Sequence, residues 1–199
     1  MKRLILGAIL GAALLLAAPP ARAQDDSFKI FGAASYVAPA SEDHVTISSV
    51  KESIKTSKEL GWNVGFEWRL TKRTGVEVDY LNATEDVDVS GAKLGQVDFS
   101  PLSGTLDFHL IHTKFVDLYI GPTYSYVNWG TLHLEDGTTA TTKKESAWGA
   151  SVGLDIGLGK TFAVVGGLRY LDLDLSSKDT GGSFNVNPLL TRIGVALRF

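Results

Sequence analysis

LGWNVGFEWRL, residues Leu60 to Leu70, alternates without a break. Trp62, Val64, Phe66, Trp68 and Leu70 are apolar, while Asn63, Gly65, Glu67 and Arg69 between them are polar or small. Side chains that repeat every second residue share one face of a β-strand, so this stretch sets a fully apolar face against a mixed one. ESAWGASVGLDIGL, Glu145 to Leu158, repeats the pattern with Trp148, Ala150, Val152, Leu154, Ile156 and Leu158 on the apolar side. In Leu189 to Phe199 the apolar side carries Leu189, Ile193, Val195, Leu197 and Phe199, opposite Leu190, Arg192, Gly194, Ala196 and Arg198.

Extended along the chain, the same reading gives eight strands, near 27–37, 60–70, 74–84, 99–111, 116–128, 145–158, 161–175 and 187–199. The spacers alternate. Thr71-Lys72-Arg73, His112 to Phe115 and Gly159-Lys160 are short, and those near 38–59, 86–98, 129–144 and 176–186 are long and rich in Ser, Thr, Gly, Asp and Lys. An even number of strands joined alternately by short turns and long loops is the layout of an outer-membrane barrel, with turns in the periplasm and loops outside.

Composition agrees. The chain has 199 residues, 44% hydrophobic and 21% charged, with 21 Gly and no Cys. Its mean hydropathy is near zero, which excludes a disordered polyampholyte and a polytopic helical membrane protein alike. Absent Cys, there is no disulfide frame, zinc-thiolate site or thiol nucleophile, and the formal charge of -3 gives no reason to expect a nucleic-acid partner. Residues 1–23 read as a cleavable secretory segment: Lys2 and Arg3 precede the apolar run Leu4 to Ala18, and Ala21-Arg22-Ala23 offers a small-x-small cleavage site. The mature chain, 24–199, has no apolar run long enough for a membrane helix and meets a bilayer as strands.

A soluble up-and-down barrel is the competing architecture. It would point its bulk inward. Here the small and charged face cannot fill a dry core, whereas the apolar face carries aromatic anchors. Trp62 and Trp68 lie on one face about 20 Å apart along the strand, the spacing of two interfacial girdles. Tyr36, Tyr80, Tyr124, Tyr126 and Trp148 share that face toward the long-loop end. Thr161 to Leu175 breaks the parity, because Leu171, Leu173 and Leu175 fall opposite Phe162, Val164 and Leu168. A bulge between Leu168 and Leu171 would turn all of them outward, with Arg169, Asp172 and Asp174 inward or at the rim.

Inward parity places Lys29, Glu67, Arg69, Glu77, Asp79, Asp107, His109, Asp117, Asp155, Arg192 and Arg198 in the lumen, chiefly at the short-turn end. Eight strands enclose a space that side chains nearly fill, so these charges are expected to pair and plug the lower barrel. The upper lumen is expected to hold a narrow apolar pocket lined by Val37, Leu81, Ser103, Thr123, Ser125, Val127, Gly149, Ser151 and Leu190. Pro101 and Pro122 each remove a ladder donor from a wall strand, and they mark where a solute could leave sideways. Gly149-Ala150-Ser151-Val152-Gly153 fits a nucleophile-elbow pattern but sits inside an alternating strand, and Gly159-Lys160-Thr161 reads as a hairpin turn. His109 and His112, three apart on a strand, are expected to point to opposite faces and to share no metal.

FSPLSGTLDFHL (Phe99 to Leu110), SAWGASVGLDIGL (Ser146 to Leu158), RYLDLD (Arg169 to Asp174) and NPLLTRIGVALRF (Asn187 to Phe199) resemble the outer-membrane protein W family, which includes alkane-uptake porins. The resemblance implies an eight-stranded outer-membrane barrel passing small hydrophobic molecules. No cofactor is expected, and a lipid A hydrolase or acyltransferase is disfavoured because the outward residues are apolar or aromatic and offer no Ser/His/carboxylate set. The resemblance also implies a terminal aromatic, Phe199, read by the barrel-insertion machinery. Expected partners are outer-membrane lipid and small hydrophobic solutes. A structural or adhesion barrel that acts through its loops, Ala38 to Glu59 and Gly130 to Lys144, is the alternative.

Overall fold

The computed structural model describes residues 27–39, 44–47, 50–56, 59–89, 92–134, 139–141, 145–176, 183–185 and 187–199. The secretory segment read at residues 1–23 lies outside them. Eight long strands form the wall: β1 (Phe28–Pro39), β2 (Glu59–Arg69), β3 (Thr74–Val89), β4 (Ala92–His112), β5 (Val116–Trp129), β6 (Glu145–Gly157), β7 (Phe162–Asp172) and β8 (Pro188–Arg198). Each pairs antiparallel with its neighbours in sequence, and β1 pairs with β8 from Lys29↔Arg198 to Pro39↔Pro188, so the sheet closes. The last residue completes the seam: Phe28 N–H donates to the Phe199 carbonyl at 2.9 Å, and Phe199 N–H to that of Phe28 at 3.0 Å. No helix occurs among the described residues. Closure leaves no free edge, which lets a strand protein sit in lipid with every backbone donor paired inside the wall.

One end carries short turns at 70–73, 113–115 and 158–161. In the first, Leu70 and Thr71 N–H both donate to the Thr74 carbonyl; in the last, Gly159 takes a positive φ of 141° that favours glycine. The other end is longer and more ordered than the loop pattern suggested. β3 continues to Val89 and β4 starts at Ala92, so most of the spacer expected near 86–98 is paired strand, with Glu85↔Val97 and Val87↔Gly95. Val87 and Val89 alternate with Asp86 and Asp88 at strand period. Added strands also cover the flanks of this extension: Val50–Thr56 pairs with the end of β3, and Thr131–Leu134 with the start of β4.

Outward faces carry Val78, Leu102, Leu106, Ile120, Val152, Leu154, Ile193 and Val195, all exposed, flanked by two aromatic zones. Toward the long-loop end Trp62 packs on Tyr80 at 5.6 Å and Tyr124 on Trp148 at 4.9 Å between centroids. Toward the turn end Phe28 stacks on Phe66, Trp68 and Phe199. These are the girdles of a membrane barrel.

β7 corrects one expectation. Its pairing is unbroken, from Trp148↔Asp172 to Gly157↔Ala163 on one side and Phe162↔Leu197 to Tyr170↔Leu189 on the other, so the bulge between Leu168 and Leu171 does not exist. Leu171 and Leu173 point inward and are buried, Arg169 also points inward, and Asp172 is exposed. The parity looked broken because the upper lumen is itself apolar, and leucine suits both faces there. A real bulge lies in β4, where the register shifts between His109 and Ile111 and leaves Leu110 as an extra residue.

Two inward glycines make room for large rings opposite them. Gly65 faces Phe31 and Gly153 faces Tyr119, and a Cβ on either glycine would run into that ring. Such glycine–aromatic pairs fill the lumen and fix cross-strand register. Gly153→Val should therefore overpack the lumen and lower unfolding free energy by about 1–3 kcal/mol, read from the urea midpoint of the barrel in lipid vesicles.

Candidate functional site

The inward side chains form two layers. The lower is charged and buried: Lys29, Glu67, Glu77, Asp79, Asp107, Asp117, Asp155 and Arg198 are each 2% exposed or less. Lys29 from β1 reaches across the bore, with Nζ 2.5 Å from Glu67 Oε2 and 3.0 Å from Asp155 Oδ2. Its ammonium also lies 4.4 Å from the centroid of the Tyr119 ring, a cation–π contact away from water.

Two arginines clamp β3. Arg192 takes Glu77 in a fork, Nη1 to Oε1 at 2.7 Å and Nη2 to Oε2 at 2.8 Å, while its guanidinium carbon stacks 4.5 Å from the Phe31 centroid. Arg169 takes Asp79 likewise, at 3.0 and 2.6 Å, and Asn63 donates to the same carboxylate at 2.7 Å. At the turn end Arg69 donates to Asp117 at 2.6 Å, and His109 bridges Asp117 at 2.7 Å and Glu67 at 3.1 Å. Forked, charge-assisted pairs are among the few arrangements that offset the desolvation of buried ions.

The layer thus sets six carboxylates, Glu67, Glu77, Asp79, Asp107, Asp117 and Asp155, against five fixed cations and His109. Asp107 stands apart. Its carboxylate lies close to those of Glu67 and Glu77, and neither of its oxygens has a hydrogen-bond partner. Inward parity alone also selects Asn63 and Tyr119, uncharged side chains that join the network through Asp79 and Asp155. Arg169, which the expected bulge would place inward or at the rim, points inward without it.

Above this layer the lumen turns apolar. Val37, Leu81, Val127 and Leu190 join Ala83, Phe99, Trp129, Ala147, Leu171 and Leu173 in one buried cluster, with Phe99 and Trp129 rings 4.8 Å apart. Hydroxyls form a belt between the layers: Ser103 with Ser125 at 2.8 Å, Thr105 with Thr123 at 2.9 Å, and Thr123 donating to Ser151 at 3.2 Å. A cavity of about 20 Å³ lies at the junction of the layers, bounded by Leu81, Ser151 and Leu190 on one side and by Asp79, Arg169 and Arg192 on the other. That is room for water rather than for an organic solute. Of the nine residues expected to line a pocket, these three border the cavity, while Val37 and Val127 pack in the cluster and Ser103, Thr123 and Ser125 form the belt. Gly149 sits against the Tyr170 backbone in the wall.

The prolines sit beside gaps in the wall ladders. Between Tyr80↔Leu102 and Ala83↔Phe99 the β3–β4 ladder skips two pairs next to Pro101. Between Thr105↔Thr123 and Phe108↔Ile120 the β4–β5 ladder does the same next to Pro122. Pro101 faces the lumen and Pro122 faces outward. The upper gap is bridged on the outer face by Asn82 Nδ2 donating to Ser100 Oγ at 2.8 Å. Gly149 to Gly153 lies within β6, far from any strand-to-helix turn.

Residues 8–199 match the family model described as outer membrane protein beta-barrel domain. Among solved structures, the outer membrane protein OprG from Pseudomonas aeruginosa aligns with a TM-score of 0.73 at 18% identity, over 86% of this chain and 95% of that one. Neisserial surface protein A aligns with a TM-score of 0.63 at 16% identity, over 87% and 97%. The outer membrane protein AlkL, solved in DMPC bilayers, aligns with 0.61 at 15% identity, over 92% and 94%. A search of curated proteins finds no match.

Opposite signs are expected from two carboxylate variants, compared by urea unfolding in lipid vesicles. Glu77→Gln leaves the buried Arg192 without its carboxylate and should cost about 3–5 kcal/mol. Asp107→Asn removes a carboxylate that has no donor and supplies an amide to its neighbours, and it should stabilise by about 1 kcal/mol.

Proposed function

Because the chain belongs to the outer membrane protein beta-barrel family, and so to the Gram-negative outer membrane, we propose that it admits small hydrophobic molecules passively, through the apolar upper lumen and out sideways into the bilayer. The observation that carries this reading is the change in lumen chemistry with height. An apolar solute entering from the long-loop end exchanges contacts with Phe99, Trp129 and Leu171 for similar apolar contacts. To continue downward it would have to part Arg192 from Glu77 and Arg169 from Asp79, leaving buried charges unpaired.

The side route has one seam at the right height. The gap beside Pro101 borders Leu81, Ala83, Phe99 and Val127 of the apolar cluster, so wall and chamber meet there. The gap beside Pro122 is level with Asp107, at the charged layer, and opens nothing for an apolar solute. Asn82 and Ser100 then act as a polar latch across the exit.

The chain has no cysteine, so the seam can be locked cleanly. Asn82 and Ser100 stand opposite each other across an antiparallel pair, within disulfide reach. In a Gram-negative host, the oxidised Asn82→Cys/Ser100→Cys barrel should lose uptake of a labelled medium-chain alkane by about 10-fold, the equivalent of about 1.4 kcal/mol in barrier, and regain it on reduction. Entry of a sugar of like size should be low in both states. Alkane uptake that ignores the crosslink would exclude this exit. No alkane uptake above the empty host in either state would favour the surface-barrel reading, in which the strands added to β3 and β4 above the wall carry the activity.

A further inference from the structure

The bulge at Leu110 has a chemical result at the turn end of the lumen. Without it, His109 and His112 would face opposite sides of β4. With it, His109 pairs with Tyr119 and His112 with Asp117, and both imidazoles turn to the same side, with ring centroids 5.9 Å apart. Asp117, the second residue of β5, comes between them. His109 Nδ1 lies 2.7 Å from Asp117 Oδ1, and His112 Nδ1 lies 3.3 Å from Asp117 Oδ2. One ligand atom from each of the three residues can be chosen so that all lie within 4.8 Å of one another.

We propose that His109, His112 and Asp117 form a binding site for a divalent transition ion of the zinc type at the periplasmic mouth of the barrel. Two imidazoles and a carboxylate are a zinc-type ligand set. Ligands about 2.0–2.1 Å from a tetrahedral zinc lie roughly 3.3 Å from each other; His109 Nδ1 and Asp117 Oδ1 stand 2.7 Å apart, and a ligand atom of each of the three residues lies within 4.8 Å of the other two, so small side-chain adjustments reach that spacing.

The supporting groups are also in place. A histidine that ligates zinc through one nitrogen usually donates its other N–H to a carboxylate, which fixes the ring. A carboxylate stands beside His109 for that role: with Nδ1 turned to Asp117, Nε2 sits 3.1 Å from Glu67 Oε1. Arg69 holds Asp117 through Oδ2 at 2.6 Å, which leaves Oδ1 for the ion. His112, with 28% of its side chain exposed, gives entry from the periplasmic side, while His109 and Asp117 are buried. The ion takes the place of the proton between His109 and Asp117 and ties the end of β4 to the start of β5 across the Thr113–Phe115 turn.

The test uses tag-free mature barrel folded in detergent micelles, stripped with chelator and titrated calorimetrically with zinc chloride alone. One zinc per barrel is expected, and tetrahedral absorption bands when cobalt is used instead. His112→Ala, at an exposed side chain, should leave heat-modifiable gel migration intact and weaken zinc binding at least about 10-fold. Asp107→Asn should bind zinc as the parent does. Absence of binding, or binding unchanged in His112→Ala, would overturn the assignment. So would loss in Asp107→Asn, which would move the ion to the buried carboxylates Glu67, Glu77 and Asp107.

Discussion

A closed wall of eight strands has a bore so narrow that inward side chains fill it, and each of them must satisfy its neighbours because water cannot. Lys29 shows what this requires. Its ammonium spans from β1 to Glu67 on β2, Asp155 on β6 and the Tyr119 ring on β5, joining strands on different sides of the barrel through one buried charge. Arg192 and Arg169 do the same from β8 and β7 onto β3. The lower lumen is therefore a cross-brace, held by forked pairs that each make two charge-assisted hydrogen bonds.

The upper lumen meets the same filling constraint with different chemistry. Leu171, Leu173, Phe99 and Trp129 pack without any polar obligation, so parting them costs dispersion contacts rather than buried charge pairs. The hydroxyl belt of Ser103, Ser125, Thr105, Thr123 and Ser151 separates the two regimes. On the proposed route a solute that wets neither charge nor hydroxyl stays at the top of the bore, where the β3–β4 ladder skips two pairs beside Pro101. Passive entry with lateral release, as proposed, follows from this vertical division rather than from an open channel.

Strict alternation in Leu60 to Leu70 and Glu145 to Leu158 makes strand number, closure and the lumen charges legible from sequence, since a membrane barrel has only two kinds of face. The same rule misled wherever the faces ceased to differ. Leu171 and Leu173 look lipid-facing because leucine suits either face above the hydroxyl belt, where the lumen is apolar as well. Nothing in HLIH, residues 109–112, announces the extra residue at Leu110, because a bulge is set by pairing with β5 and not by local composition, so simple alternation puts His112 on the wrong face. The extension of β3 and β4 was hidden among Asp, Ser and Gly, residues that read as loop until a partner strand is known.

Steady-state conductance in planar bilayers tests the braced lumen most directly. With the Lys29, Arg192 and Arg169 pairs closed across the bore, inserted barrels should carry no stable ohmic current in potassium chloride, however many accumulate. A current that rises in equal, long-lived steps with each insertion, linear in voltage, would mean that water and ions pass the charged layer and that the lumen is an open pore.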